Sequence, residues 1–322
     1  MRVRLRKNPL TKFDKPPRPG ELRVVHLHLA NATLSRPGVS ASLIAATRFL
    51  RGLHRLKARG VRVIWTVHDL HHPETTHRRL DHLIGALLIR TVDAAIVHST
   101  GAADAVARTF RYDTARLQIV PHGHYIDWYP NTVSKATARA TLGVPAGNKV
   151  FLYFGAIRKY KQVPALIDAF YRLDPPQVTL LIAGWPLNDQ AAERVRAAGR
   201  DGRLIIARPE FIEDGDVQLY FNASDAVVLP VEDVLTSGSV FLAMSFARAV
   251  ITPQIFPMTS ALPDGGAIFY PPQMPGALEN ALKAACSSDL ASMGERNLEH
   301  VRRNNDWGAV GRQVREIYES LR

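Results

Sequence analysis

Short apolar runs alternate with stretches of helical periodicity along most of the chain. The runs VRVIWTVHD at 61–69 and KVFLYFGAI at 149–157 show the pattern most clearly. Strands are predicted at 22–30, 61–69, 93–99, 117–123, 149–157, 178–185, 203–208, 225–230 and 249–253. Helices are predicted at 41–59, 76–91, 100–110, 163–173, 189–199, 214–222 and 237–247. Continuous apolar strands that alternate with helices are typical of parallel sheets covered on both faces.

The alternation is interrupted at the polar segment NTVSKATARATLGVP (131–145), which we predict to be a linker with a small helix, and then starts again. A chain of 322 residues is long enough for two packed cores. We therefore predict an α/β protein with two doubly wound, Rossmann-like domains that face each other across a cleft. The first domain is predicted at 1–130, and the second at 131–306.

Ligands of open parallel sheets bind outside the carboxyl ends of the strands. The segments that follow the predicted strands here carry the least common residues, for example HDLHHPETTH after the strand at 61–69 and GAIRKYK after the strand at 149–157. We expect these segments to open towards one cleft.

Composition excludes several classes of protein. With 46% hydrophobic and 22% charged residues the chain is globular, and Cys286 alone allows neither an intrachain disulfide nor a cysteine-based zinc site. The apolar runs are far shorter than the roughly 20 residues that a membrane span needs, and an apolar signal-peptide core is missing. We expect a cytoplasmic protein.

Positive charge is concentrated near the N-terminus. Residues 1–62 contain fifteen Lys or Arg against Asp14 and Glu21, and the whole chain has a net charge of +12. One stripe of the helix at 41–59 is basic, with Arg48, Arg51, Arg55 and Arg59, and its packing face is predicted to hold Leu43, Phe49, Leu50, Leu53 and Leu56. Such a stripe attracts an anionic membrane surface or nucleic acid, and it is also compatible with an ordinary solvated face. Because basic and aromatic residues do not interleave as they do in nucleic-acid modules, we expect no nucleic-acid partner.

Two segments have the chemistry of a diphosphate site. Gly155 lets a ligand approach the backbone, and Arg158 and Lys161 follow just before a helix. Further along, Thr236, Ser237, Gly238 and Ser239 open a helix whose free N–H groups favour phosphate. Each segment alone is also explained by a surface cation pair or by a helix cap.

The segments TVHD, IVHS, VPHGHY, FGAIRKYK, LLIAGWP and LPVEDVLTSGS occur in that order. In this order they resemble the GT-B glycosyltransferases of family 4, over about 22–320. The resemblance implies transfer of a sugar from a UDP- or GDP-sugar to a lipid-linked, polysaccharide or small-molecule acceptor, without a metal or another cofactor. It implies that Arg158, Lys161 and the backbone at 237–239 bind the diphosphate, and that 307–322 is a helix that returns to the first domain. The loop that borders the nucleobase is then Pro209, Glu210, Phe211 and Ile212.

The chain departs from the family pattern in two respects. Family members usually carry two glutamates eight residues apart. Here the residue eight positions after Glu232 is Val240, and the other alignment with the family pattern places Leu242 at the second glutamate position. The chain also reaches its first predicted strand at 22, without the usual first glycine loop. We therefore expect a shortened first domain on the acceptor side: either its sheet is reduced, or the start is truncated, or another subunit completes it. A non-catalytic GT-B-like subunit that needs a partner chain is therefore the alternative function.

The histidine loop at 68–77 contains several side chains of the types that bind metal ions. A His-x-x-His spacing in a loop is a weak zinc pattern, so we predict that it binds none. An acceptor hydroxyl must lose a proton when it attacks, and a carboxylate or imidazole is suited to accept it. We predict Asp69 as the base with His68, and His71 and His72 on the acceptor side, whereas a capping aspartate with satisfied histidines is the structural alternative.

A second histidine cluster, PHGHY, follows the strand at 117–123. We expect His122 or His124 to contact donor phosphate or sugar, although both histidines also suit a purely structural role at the domain junction. His98 and Ser99 are predicted to be structural, and Trp185 is a candidate for the nucleotide pocket. The residues assigned to the donor sugar or the junction are His122, Gly123, His124, Tyr125, Glu232 and Asp233.

Overall fold

The computed structural model describes residues 21–322 apart from 29, 31–33, 35–37, 73–74, 76, 174–176, 187, 200–203 and 233. The basic leader at 1–20, Glu74 and Asp233 therefore lie outside the described residues. The chain divides into two compact units, Met1–Pro121 with Gly308–Arg322 (unit 1) and His122–Trp307 (unit 2). The predicted domain boundary, between residues 130 and 131, lies a little C-terminal to the boundary between these two units.

Unit 1 contains a four-stranded sheet, sheet A, whose strands are all parallel in the order β1-β2-β3-β4. Its strands are β1 (Val24–Leu27), β2 (Arg62–Thr66), β3 (Ala94–Val97) and β4 (Leu117–Ile119). The connecting helices are α1 (Val39–Ala58), α2 (Arg78–Thr91) and α3 (Thr100–Phe110). Because consecutive parallel strands are neighbours and such crossovers are right-handed, α1, α2 and α3 cover the same face of sheet A.

The opposite face of sheet A is covered by the last helix, α12 (Trp307–Glu319). Val310 and Ile317 of this helix pack with Ile64 and Ile96 of the sheet. The next residue of β2, Trp65, points the other way and meets Phe110 of α3 at 6.4 Å between ring centroids. Sheet A is therefore buried on both faces, which explains its uninterrupted apolar strands.

Unit 2 contains sheet B, with six parallel strands in the order β10-β9-β8-β5-β6-β7. Its strands are β5 (Lys149–Phe154), β6 (Val178–Ala183), β7 (Leu204–Arg208), β8 (Ala226–Val228), β9 (Ala249–Pro253) and β10 (Ala267–Tyr270). Its helices are α4 (Lys135–Leu142), α5 (Val163–Arg172), α6 (Asp189–Ala198), α7 (Val217–Ala223), α8 (Gly238–Ser245), α9 (Phe256–Ala261), α10 (Ala277–Ser287) and α11 (Leu290–Asn304).

The prediction of an α/β fold with parallel sheets is confirmed. The predicted elements up to 253 have counterparts in the structure, whereas α9, β10, α10 and α11 were not predicted. One detail of the first helix is wrong: Leu43, assigned to its packing face, is 44% exposed, and Ser42 and Ala46 are buried there instead. Among the described helices, none is long and apolar enough to span a membrane.

Candidate functional site

Two loops of unit 2 flank the point where the strand order of sheet B reverses. From β5 the chain proceeds to β6 and β7 on one side, and β8, β9 and β10 extend the sheet on the other. The loops that follow β5 and β8 therefore leave adjacent strands in different directions. In doubly wound sheets this switch point is where ligands bind.

Glycines shape the backbone at the end of β5. Gly155 and Gly184 have φ values of +127° and +138°, which side chains with a Cβ rarely adopt. A Cβ on Gly184 would lie 2.0 Å from the carbonyl oxygen of Gly155, so the ends of β5 and β6 touch through bare backbone. Beyond them, the N–H of Ile157 donates to the carbonyl of Trp185 at 2.7 Å.

The structure brings the two predicted phosphate segments together. A Cβ placed on Gly155 would lie 4.0 Å from Ser239 Oγ, and it meets nothing closer. The N–H of Glu232 donates to the carbonyl of Tyr160 at 3.1 Å, which ties the loop after β8 to the turn that carries Arg158 and Lys161. Both cationic side chains are half-buried beside this junction.

The N-terminus of α8 contributes polar groups that have no partner within its helix. The first N–H groups of a helix lack intrahelical acceptors, and no side chain caps α8. Ser237 immediately precedes it and is 7% exposed, yet its Oγ has no hydrogen-bond partner among the described residues. Thr236 is half-buried next to it. A buried hydroxyl without a partner costs stability, so this group is available to a ligand or a water molecule.

His122 and Tyr125 line the other side of the α8 N-terminus. A Cβ on Gly238 would lie 3.1 Å from Tyr125 Oη and 3.8 Å from His122 Nε2. The imidazole of His122 stacks on Phe241 with centroids 4.6 Å apart, and its Nδ1 donates to the carbonyl of Gly123 at 2.7 Å. Burial lowers the pKa of His122, so a neutral imidazole turns its Nε2 towards Gly238.

Gly123 and His124 have structural contacts instead. The carbonyl of His124 accepts from Trp307 Nε1 at 2.6 Å, and the N–H of His124 donates to Asn305. A Cβ on Gly123 would lie 2.3 Å from the Trp307 ring, so only glycine fits. Of the two histidines proposed for the donor, the geometry places His122 at the α8 N-terminus and ties His124 to the segment before α12.

The remaining donor-side candidates lie along the same edge of sheet B. Trp185 follows β6, and the loop at 209–212 follows the edge strand β7. Trp185 and Phe211 are among the most exposed large apolar side chains, whereas Ile212 packs on the core. Glu232 is exposed in the loop after β8.

In unit 1 the histidine loop follows β2. His68, Asp69, His71 and His72 are all half-buried, and the N–H of His72 donates to Asp81 at 3.3 Å.

The two residues predicted to be structural, His98 and Ser99, have structural contacts. His98 Nδ1 donates to the carbonyl of Val120, and Ser99 caps α3 by accepting from the N–H of Ala102.

Sequence reasoning missed that His68 belongs to a row of imidazoles. His28 Nδ1 and His68 Nε2 share a hydrogen bond at 3.2 Å, and the ring centroids of His68 and His98 are 5.2 Å apart. The ring centroids of His26 and His28 lie 4.3 Å apart. Histidines follow the ends of β1, β2 and β3, and the carboxyl ends of neighbouring parallel strands lie at the same edge of the sheet. The repeated VVHLH, TVHD and IVHS strand ends contained this signal.

His26 is held between two hydroxyl groups, with Nδ1 2.7 Å from Tyr318 Oη and Nε2 2.7 Å from Thr66 Oγ1. Burial, with smaller contributions from His28 and His98, lowers the pKa of His26 to about 3. The imidazole is therefore neutral at pH 7. Within the part of the chain that the structure describes, no three His, Cys, Asp or Glu side chains are grouped so as to hold a metal ion.

Residues 148–288 match the family model described as Glycosyl transferases group 1. This region is similar in sequence to group 1 glycosyl transferase domains. It contains both phosphate segments and the switch point of sheet B. The resemblance to glycosyltransferases inferred from the motifs is thereby confirmed.

A curated relative from Xanthomonas campestris pv. campestris, named GDP-mannose:glycolipid 4-beta-D-mannosyltransferase, is 29% identical over 230 residues, which is 71% of this chain. The chain spans 61% of that relative's length.

Two solved structures have the same fold. Sucrose-phosphate synthase from Thermosynechococcus elongatus aligns with a TM-score of 0.71 and 20% identity, covering 91% of this chain and 82% of that one. Anabaena Alr3699/HepE in complex with UDP-glucose aligns with a TM-score of 0.72 and 18% identity, covering 88% of this chain and 77% of that one. The chain has the α/β fold of GT-B glycosyltransferases.

Proposed function

We propose that the chain is a glycosyltransferase that moves a hexose from a nucleoside diphosphate sugar to a glycolipid acceptor. The observation that supports this proposal best is the convergence of Gly155, the α8 N-terminus and the buried, unpartnered Ser237 hydroxyl at the switch point of sheet B. These groups lie within residues 148–288, the region that matches the model described as Glycosyl transferases group 1.

In the proposed complex the diphosphate lies against the α8 N-terminus. The free N–H groups and the helix dipole stabilise its negative charge, and the Ser237 hydroxyl donates a hydrogen bond. Arg158 contributes a planar fork and Lys161 a point charge. Gly155 leaves the space that a Cβ would fill, so that phosphate oxygens reach the backbone.

We propose GDP-mannose as the donor, since the named relative uses it. The name of that relative gives a β-mannosyl product. GDP-mannose carries its sugar as the α-anomer, so a β product requires inversion at the anomeric carbon. The neutral His122, beside the α8 N-terminus, is assigned to a sugar hydroxyl because its Nε2 accepts a hydrogen bond.

Inversion in a single displacement needs a base for the acceptor hydroxyl. We assign this role to Asp69, with His68 orienting the acceptor and His71 and His72 contacting it. The positions at which family members carry the second glutamate hold Val240 and Leu242, both buried. The chemistry on the acceptor side then depends on the loop after β2. The proposed reaction needs no metal, because the cations Arg158 and Lys161 balance the charge of the leaving diphosphate.

Turnover of GDP-mannose and of UDP-glucose by the purified chain tests the proposal, measured as release of GDP or UDP with and without a short-chain glycolipid acceptor. We expect GDP release from GDP-mannose that is unaffected by a chelator. The double substitution Arg158→Ala with Lys161→Ala should lower turnover by roughly 100-fold, since hydrogen bonds to charged groups contribute about 1.5–3 kcal/mol each.

Lys159→Ala is the matched control, because Lys159 lies in the same turn but is exposed. Equal turnover by the double variant and the control would refute the diphosphate assignment. Absence of both turnover and nucleotide binding in the intact protein would favour the alternative, a non-catalytic subunit that requires a partner chain.

A further inference from the structure

The outer surface of α1 and α2 differs from the rest of the described molecule. Both helices lie on the same face of sheet A, and they pack against each other through Ala46 and Ile84. Their outer sides face away from the sheet. Five of the twelve most exposed large apolar side chains among the described residues lie on these two helices.

The exposed apolar side chains on the outer sides of these two packed helices form the apolar cluster. Leu43 and Ile44 on α1 are 44% and 53% exposed, and Leu83 and Leu87, one turn apart on α2, are 51% and 45% exposed. Val39 extends the cluster at the start of α1. Single exposed apolar residues are ordinary, but a contiguous cluster marks a contact surface.

Positive charge adjoins this cluster. Arg48, Arg51 and Arg55 follow Ile44 along the solvent side of α1, and Arg79 is exposed beside Leu83 on α2. The sequence of α1 contains no acidic residue, and the one acid of α2, Asp81, is 8% exposed. The two-helix surface therefore presents cations and apolar side chains without exposed carboxylates.

We propose that the outer surface of α1 and α2 docks on an anionic lipid bilayer. Leu43, Ile44, Leu83 and Leu87 enter the boundary between headgroups and acyl chains, and Arg48, Arg51, Arg55 and Arg79 pair with lipid phosphates. Arginine suits this position because its aliphatic stem lies on apolar surface while the guanidinium stays among the phosphates. Nucleic acid would satisfy the arginines but would leave the four apolar side chains in water.

The position of the cluster links docking to the candidate acceptor loop. In a parallel α/β sheet each helix starts near the carboxyl end of the strand before it. Leu43, Ile44 and Leu83 lie in the first half of their helices, so this part of the apolar cluster lies towards the sheet edge that carries His68 and Asp69. A glycolipid whose chains remain in the bilayer is thereby presented on the acceptor side; this last step rests on the proposed function, whereas docking itself does not.

Sedimentation with vesicles tests the proposal, using the full chain with vesicles of phosphatidylcholine alone and with vesicles of phosphatidylcholine that contain roughly 30% phosphatidylglycerol. We expect binding to the anionic vesicles that weakens with salt. Arg48→Gln with Arg51→Gln and Arg55→Gln should reduce the partition coefficient about 100-fold, taking roughly a factor of five for each arginine. Leu83→Ser with Leu87→Ser should reduce it about 10-fold or more, because two apolar side chains no longer enter the bilayer.

Arg312→Gln with Arg315→Gln is the charge control, since both residues are exposed on α12 of the same unit, and Met274→Ser is the apolar control in unit 2. Both controls should bind vesicles like the unchanged protein. The proposal is overturned if the patch variants bind vesicles as the controls do. It is also overturned if the protein prefers duplex DNA to anionic vesicles, or if the leucine variants abolish self-association and leave vesicle binding intact. GDP binding by the patch variants distinguishes loss of docking from failure of the proposed function.

Discussion

The carboxyl edges of the two sheets are built differently. On sheet B the edge is defined by backbone: two glycines with positive φ, the hydrogen bond between Glu232 and Tyr160, and the start of α8. On sheet A it is lined by imidazoles that contact one another. Backbone groups suit a constant part of a ligand, such as a diphosphate, whereas side chains suit the part that varies between enzymes, such as an acceptor. The following predictions test this contrast.

The largest effect is expected on sheet A. Asp69→Asn removes the proposed base and should lower the transfer rate by roughly 100- to 10,000-fold, the range typical of general acid–base catalysis. The dissociation constant for GDP should not change, because the donor contacts are assigned to unit 2. Asp104→Asn, an exposed carboxamide substitution on α3, is the control. Full transfer activity in the Asp69 variant, with loss in His68→Asn, would move the role of base to His68.

On sheet B a single methyl group should be enough to damage the site. Gly184→Ala places a Cβ against the Gly155 carbonyl and imposes an unfavourable φ, so we expect a loss of about 3 kcal/mol in the free energy of unfolding. Denaturant titration measures it, with Gly215→Ala as control because its Cβ would meet nothing within 4 Å. Equal stability of the two variants would show that the β5 and β6 ends do not need this contact.

The buried imidazole of His26 should make the free energy of unfolding of unit 1 decrease at acid pH. Because the pKa of His26 is about 3 when folded and 6.5 ordinarily, the unfolded state binds a proton between these values and the folded state does not. The stabilising contribution is complete above pH 6.5 and falls as pH decreases towards 3, by at most about 1.4 kcal/mol for each pH unit.

Thermal unfolding of unit 1 across this pH range measures the effect. His26→Gln should flatten the dependence, whereas His54→Gln, which changes an exposed imidazole on α1, should not. An identical pH dependence in the protein and in His26→Gln would contradict the assignment of a neutral, buried His26.

The smallest effect concerns the hydroxyl before α8. Ser237→Ala removes a group that has no partner among the described residues, so the free protein should lose no stability. Binding of GDP should weaken about 10-fold, the equivalent of roughly 1.4 kcal/mol. Melting temperatures with and without GDP separate the two quantities. A variant that is less stable without ligand, and that binds GDP normally, would assign Ser237 a structural role.

Much of the fold was predictable because both sheets are buried. Their strands are continuous apolar runs, as in VTLLIA of β6, where every residue is buried. The elements after 253 were missed because β10 is half-exposed and short, and because α10 and α11 follow one another without a strand between them. The exposure of Leu43 was missed because periodicity alone does not locate the centre of a buried stripe.

The site was predictable where its chemistry is local. Gly155, Arg158 and Lys161 follow one strand, and Ser237 and Gly238 lie at the start of one helix. The hydrogen bond from His28 to His68 joins residues 40 positions apart, and it depends on the pairing of β1 with β2. The stacking of His122 on Phe241 likewise depends on tertiary packing, which the sequence pattern does not specify.

The central claim is that the α8 N-terminus and the Gly155 segment bind the donor diphosphate. Calorimetric titration with GDP and with guanosine tests it directly in the unchanged protein and in the Arg158→Ala, Lys161→Ala variant. We predict that the unchanged protein binds GDP at least about 100-fold more tightly than guanosine, and that the variant loses most of this difference while its weak affinity for guanosine is retained. A variant that keeps the full preference for GDP would contradict the claim.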